Sequence, residues 1–387
     1  MQFASDEILL GNSTIDELDK HLLDFAVRTG LCGPKGRIGA VDVCEGALNE
    51  YGRLVAEIVD QSPIRTLAET DLCGLLRFCP LSLQPRPSPA KTQAPVHPPS
   101  SARIRPERRT APSRGSVGYF TVITDVHWDP FYSVGSITDC DHPMCCRANY
   151  GPRESASPPS HPAGKWGDYA CDPPMNIVNA TLAFASSLPA DFVFFTGDGP
   201  PHDVWNQSAS YNMDTIDTLM QLVKQHFPVT PVLPSVGNHD TFPCDQFSIN
   251  QADIYASIAS IWSRFLPPAA LQTVAQGAFY STLVVPGLRA IALNSMWGDP
   301  IDFWVSIGNV TNTQERKFIE SELQNARVNK EKVMILGHVP IGVVGTDGND
   351  IVSMQNWTRW YALARSRVVG FARRLIAPCV VELLWQV

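Results

Sequence analysis

From about residue 117 onward, short runs of β-branched and aromatic residues alternate with segments whose apolar positions recur every three or four residues. The runs YFTVITD (119–125), DFVFFTGD (191–198), VTPVLPSVGNHD (229–240), LRAIALNS (288–295) and KVMILGH (332–338) predict strands. Helices are predicted for PMNIVNATLAFASSL (174–188), DTIDTLMQLVKQHF (214–227), DIYASIASIWSRFL (253–266) and TQERKFIESELQNARV (313–328). Near the start, LDKHLLDFAV (18–27), VCEGALNEYGRLVAEIV (43–59) and TDLCGLLRFC (70–79) carry the same helical spacing. Residues 80–116 break the pattern, with nine prolines and few large apolar residues, and read as an extended spacer. A small all-α module over 1–79 and an α/β domain over 117–363 follow, with a tail at 364–387 that contains no motif.

Composition narrows the class. The 387 residues are 44% hydrophobic and 18% charged, enough apolar content for a packed core. The net charge of -8 disfavours nucleic acid as a partner, since phosphate contacts need a Lys/Arg surplus. The opening residues carry acids where a secretory signal would carry basic and then apolar segments, so no signal peptide is expected in this chain. Eight of the ten cysteines nevertheless cluster, at Cys32, Cys44, Cys73 and Cys79 and at Cys140, Cys145, Cys146 and Cys171, without the Cys-x-x-Cys pairs that zinc sites favour. Disulfides are the expected state, and with the Asn-x-Ser/Thr triplets at Asn12, Asn179, Asn206, Asn309 and Asn356 they imply a secreted or lysosomal protein.

The chemistry sits at strand ends: Asp125-Val126-His127, Gly197-Asp198, Gly237-Asn238-His239-Asp240 and Gly337-His338-Val339-Pro340. Each alone reads as a turn or a cap; together, each after an apolar run, they fit the carboxyl edge of a buried sheet, where α/β folds place ligands. This order resembles the signature of the calcineurin-like metallophosphoesterases. The stretch Gly197 to Trp205 (GDGPPHDVW), the stretch Gly237 to Pro243 (GNHDTFP) and the Cys-rich insert (DCDHPMCCR, then WGDYACDPP) resemble the acid sphingomyelinase family. That resemblance implies a metallophosphoesterase sandwich, incomplete at its C-terminus and preceded by a saposin-like module. It further implies hydrolysis of sphingomyelin to ceramide and phosphocholine by water activated between two zinc ions.

A phosphodiester is an anion, so its hydrolysis needs cationic charge, an activated water and a proton for the leaving alkoxide. Asp198 can bridge two ions, with Asp125 and His127 completing one and Asn238 and His338 the other, a donor set that suits zinc. By resemblance, His239 and His202 bind phosphate and protonate the leaving group, and Asp240 either orients His239 or caps a helix. Resemblance also implies the bridges Cys140–Cys145 and Cys146–Cys171, a central saposin bridge Cys32–Cys44, and membrane contact through the front module. Cys73 and Cys79 match the last two saposin cysteines, while Cys244 and Cys379 have no obvious partner. Trp128, Trp166, Trp205 and Trp297 are candidates for a choline pocket, with packing roles as the alternative.

The chain departs from the family in lacking the later Gly-His-x-His element, one ligand for each ion, and the opening Cys-x-x-Cys; it is therefore expected to be a truncated form. Rival readings are a catalytically inactive lipid-binding homologue and a general acid phosphatase of the same fold. A purple acid phosphatase loses weight because its metal-binding Tyr position is Pro201 here.

Overall fold

The structure is a computed structural model that describes residues 41–61, 118–140, 142–151, 161–298, 302, 304 and 313–339. Among the first 117 residues only a single helix, α1 (Val41–Gln61), is described. The spacer, the tail, Cys32, Cys73, Cys79, Cys379 and the triplets at Asn12, Asn309 and Asn356 lie outside the described residues, as do both ends of the expected domain boundaries.

Two three-stranded sheets form the body of the α/β domain. In the first, β1 (Phe120–Ile123), β2 (Phe192–Phe195) and β3 (Val232–Pro234) run parallel in that order, with Phe120 opposite Phe192 and Val193 opposite Val232. β2 is FVFF with all four residues buried, the continuous apolar run expected of a strand covered on both faces. In the second, β4 (Tyr280–Val285) and β5 (Leu288–Ala292) make a hairpin about Pro286-Gly287, and β6 (Lys332–Leu336) pairs parallel to β5. β3 packs on β5, and the Tyr280 hydroxyl crosses between sheets to donate to the Pro234 carbonyl at 2.9 Å. One core cluster holds Phe194 and Leu233 of the first sheet with Ala290, Met334 and Leu336 of the second. This is the expected α/β sandwich.

Helices cover the sheets as the apolar spacing requires. α2 (Met175–Ser187) enters β2, and α3 (Ala209–His226) buries Ile216, Leu219, Met220 and Val223 on one face. The Ser208 side chain caps α3 by accepting the Tyr211 N–H at 3.1 Å, and Lys224 and His226 lie in its last turn. α4 (Ala252–Trp262) and α5 (Pro268–Gly277) pack together before the hairpin, and α6 (Thr313–Val328) contributes Ile319 to a separate cluster with Ile291 and Leu293. All five expected strands and four expected helices of this domain are present. β4 and α5 were not expected; β4 carries its burial as one half of a hairpin, with Leu283 and Val285 exposed at its far end.

α1 lies on the α/β domain. Leu54 joins the main core, the Tyr51 hydroxyl donates to the Cys244 carbonyl at 3.2 Å, and Glu50 accepts the Gln207 N–H at 3.3 Å. Burial, opposed by that hydrogen bond, pushes the Glu50 carboxyl up to about 8. No helix among the described residues is long and apolar enough to cross a membrane.

Candidate metal centre

The site forms where the carboxyl ends of β1, β2, β3 and β6 meet. Two backbones approach so closely there that only glycine fits. A Cβ on Gly197, whose φ is +97°, would lie 2.1 Å from the Gly237 nitrogen, and one on Gly237 would lie 2.2 Å from Asp198 Oδ1. Asp125, His127 and Asp198 all have positive φ, the strained backbone that aims side chains off the strand ends. The β1 and β2 loops are laced together by the Asp125, His127 and Trp128 N–H groups, which donate to the carbonyls of Gly197, Asp198 and Gly199 at 3.0 to 3.1 Å.

Asp198 is central, 3% exposed, with Oδ2 at 3.4 Å from His127 Nε2 and 3.3 Å from His338 Nε2. Its Oδ1 accepts the His239 N–H at 2.9 Å. Asn238 Oδ1 lies 3.0 Å from His338 Nε2. The five expected ligands thus meet at one point. Donor atoms of Asp125, Asp198 and His338 lie within 4.8 Å of one another, and those of His127, His202 and His239 form a second such group. The Thr124 hydroxyl donates to Asp125.

The imidazoles are oriented for cation binding. His127 Nδ1 bonds the Pro200 carbonyl at 2.9 Å and His338 Nδ1 the Thr196 carbonyl at 2.8 Å, which leaves both Nε2 atoms facing Asp198. Burial lowers the His127 pKa despite Asp198, so a neutral Nε2 lone pair faces a carboxylate oxygen, an acceptor against an acceptor. Burial also opposes charge on His338, but the Asp198 hydrogen bond outweighs it and raises His338 to about 9. Burial likewise works against the Asp198 carboxylate, yet His338, His239 and His127 hold it below its ordinary range. A carboxylate that needs positive charge, with imidazole nitrogens and an amide oxygen around it, is a donor set a divalent ion fits.

Asp240 does not orient the His239 imidazole. Its carboxylate accepts the N–H groups of Gly237 at 2.8 Å, Asp198 at 3.0 Å and Gly199 at 3.0 Å, tying the β2 and β3 loops together. Burial, with Asp198 nearby, pushes it up to about 6. His239 packs edge-on against His127 and His202, each at 4.8 Å between ring centres, and its buried Nδ1 has no partner. Burial lowers His239 to about 4.

Several residues of the site were not legible as such. Asp172 accepts from His202 twice, from Nδ1 at 2.8 Å and from the backbone N–H at 2.7 Å. That hydrogen bond raises His202; burial of Asp172 is outweighed by the same contact, so its pKa falls. Arg147, Asp129 and Asp203 form a buried ion triad beside the histidines. The only signals for these were their places in the Cys-rich insert and beside motif histidines.

The insert is stapled as expected, by Cys140–Cys145 and Cys146–Cys171. Cys44 is disulfide-bonded, and Cys32 lies outside the described residues; Cys244 is free and buried. Asn179 and Asn206 are exposed. Trp297 is a core residue, 2% exposed; Trp128 packs against the core, whereas Trp166 is 58% exposed with Lys165 over its ring.

The calcineurin-like phosphoesterase family profile matches residues 118–366. Sphingomyelin phosphodiesterase A of Dictyostelium discoideum is 30% identical over 89% of this chain and 60% of its own length. Human sphingomyelin phosphodiesterase is 36% identical over 57% of this chain and 36% of its own length. The human cyclic GMP-AMP phosphodiesterase SMPDL3A is 34% identical over 62% of this chain and 52% of its own length. The chain therefore spans between about a third and three fifths of these relatives.

Proposed function

The chain belongs to the calcineurin-like phosphoesterases, and from that premise we propose that it is a metal-dependent phosphodiesterase that cleaves sphingomyelin to ceramide and phosphocholine, with zinc as the metal. The observation that carries this reading is Asp198 Oδ2 between two imidazole Nε2 atoms at 3.3 and 3.4 Å. Asp125, His127 and Asp198 would hold one ion, and Asp198, Asn238 and His338 the other. When bound, the two cations would offset the phosphoryl charge and acidify the attacking water.

The chain's own residues do the rest. His202, its Nδ1 engaged by Asp172, lies against His127 at 3.8 Å between ring centres with the planes tilted by 32°, where it hands a proton to the leaving alkoxide. His239 offers its unpartnered Nδ1 to a phosphoryl oxygen. Asp240 fixes the spacing of the two loops that carry Asp198 and Asn238. The paired disulfides of the insert favour an oxidising compartment, so we place the whole protein outside the cytosol, in a secreted or lysosomal setting, with α1 as part of a saposin-like module that meets lipid.

The test is phosphocholine release from sphingomyelin vesicles near pH 5 by the zinc-loaded chain, beside an Asp198→Asn variant and a cyclic dinucleotide substrate. Release that disappears with Asp198→Asn is the expected result. Cleavage of the dinucleotide alone would move the substrate class to nucleotide diesters. Cleavage of monoesters alone makes the protein a general phosphatase, and vesicle binding with neither bound zinc nor turnover makes it an inactive lipid-binding homologue.

A further inference from the structure

Outside the candidate ligands, the described residues include a buried, fully paired charge at Arg147, which is 3% exposed. Its Nε donates to Asp129 Oδ2 at 2.9 Å and Nη2 to Asp129 Oδ1 at 2.9 Å, a two-pronged fork, while Nη1 donates to Asp203 Oδ2 at 2.8 Å. Both acids are buried, at 2% and 0% exposure. Each one sits beside a site histidine: Asp129 is the second residue after His127, and Asp203 directly follows His202. Those two rings lie 3.8 Å apart between centres, tilted by 32°. Arg147 itself follows Cys146, whose disulfide partner Cys171 precedes Asp172, the residue that holds His202 Nδ1. Guanidinium, disulfide and carboxylate thus close a circuit through the loops that carry both histidines.

Three buried charges are a poor route to stability, because desolvation offsets most of the Coulomb gain. What the rigid fork supplies is a fixed distance and angle between two loops, which a lysine's point charge does not. We propose that Arg147 is a positioning residue of the metal centre: by binding Asp129 and Asp203 together it sets His202 against His127, and so the geometry of the ion and proton sites. The proposal rests on the metal-centre reading above.

The test uses the full chain with Arg147→Met and Arg147→Lys, zinc titration by calorimetry, and hydrolysis of bis(p-nitrophenyl) phosphate, all well below each variant's melting temperature. Arg289→Met is the control: Arg289 also bridges two acids, Glu331 at 2.7 Å and Glu322 at 3.0 Å, away from the site. Both Arg147 variants should lose about 10- to 100-fold in zinc affinity or kcat, the scale of outer-shell changes at metal sites, with KM nearly unchanged. The control should lose stability and keep both. Unchanged zinc affinity and kcat in Arg147→Met overturns the proposal, as does rescue by lysine. Should Arg147→Met not fold, Asp129→Asn, which keeps the volume and breaks the fork's charge, must give the same loss or the proposal falls. Because zinc binding is read without turnover, the two failures separate: a wild-type chain that binds no zinc sinks the metal-centre reading and this proposal together, whereas a wild-type chain that binds zinc, with a variant equal to it in both zinc affinity and kcat, sinks this proposal alone.

Discussion

Replacing Gly197 by Ala perturbs the point where the two central loops touch. The new Cβ would sit 2.1 Å from the Gly237 nitrogen, so the backbones must part by about 1 Å or more to reach ordinary contact. The Asp240 carboxylate, held in the Gly237 loop, now accepts the Asp198 and Gly199 N–H groups across the gap, at 3.0 Å each, and cannot keep these two bonds once the gap widens. Each buried bond lost costs about 1 to 3 kcal/mol. The positive φ of +97° adds about 1 to 2 kcal/mol. The sum, about 3 to 8 kcal/mol, is a large part of the roughly 5 to 15 kcal/mol that holds a typical domain together. Gly135→Ala separates the two effects: its φ is +88° but nothing lies within 4 Å of its Cβ, so it incurs the backbone cost alone. Urea unfolding at 25 °C measures both variants, and zinc calorimetry reads the site. A Gly197→Ala protein no less stable than Gly135→Ala, with wild-type zinc affinity, would refute the close-approach argument.

Three further outcomes follow from named contacts. Glu315 is buried and burial raises its carboxyl from 4.5 to about 8, so the folded chain keeps a proton that the unfolded chain releases. Stability is then full below pH 4.5 and falls between 4.5 and about 8, by about 1.4 kcal/mol per pH unit from this group. Glu315→Gln should flatten that fall in urea midpoints taken from pH 5 to 8, and parallel curves for the two proteins would contradict it. Asp172→Asn removes the acceptor charge at His202 Nδ1 and should cut kcat by about 10- to 100-fold while zinc stoichiometry stays the same; an unchanged kcat removes His202 from proton transfer. Opening the Cys146–Cys171 bridge, whose residues are 25 apart, with a double Ser substitution should cost about 3 kcal/mol and lower kcat through Asp172; a loss of stability with kcat intact would confine the bridge to a structural role.

How much of this could be read from the chain follows from the range of each signal. Strands with continuous burial, such as FVFF of β2, and helices with one apolar stripe, such as α3, announce themselves locally. β4 does not, because YSTLVV alternates only weakly and its place depends on the hairpin with β5. The proposed metal-site residues could be picked out because each ends a strand beside a glycine or within a short motif. Their partners were not: Asp172 lies 30 positions from His202, and Arg147 lies 18 from Asp129 and 56 from Asp203, so only the folded insert brings them together. Asp240 was legible as a polar loop residue, but its task depends on N–H groups about 40 positions away.

The account stands on Asp198 as the shared ligand of two cations. Anomalous diffraction at the zinc edge, from crystals of the zinc-loaded chain, tests it most directly. Two peaks about 3.5 to 4 Å apart, one on each side of the Asp198 carboxylate, are the predicted result. A single peak, or peaks remote from Asp198, would contradict it.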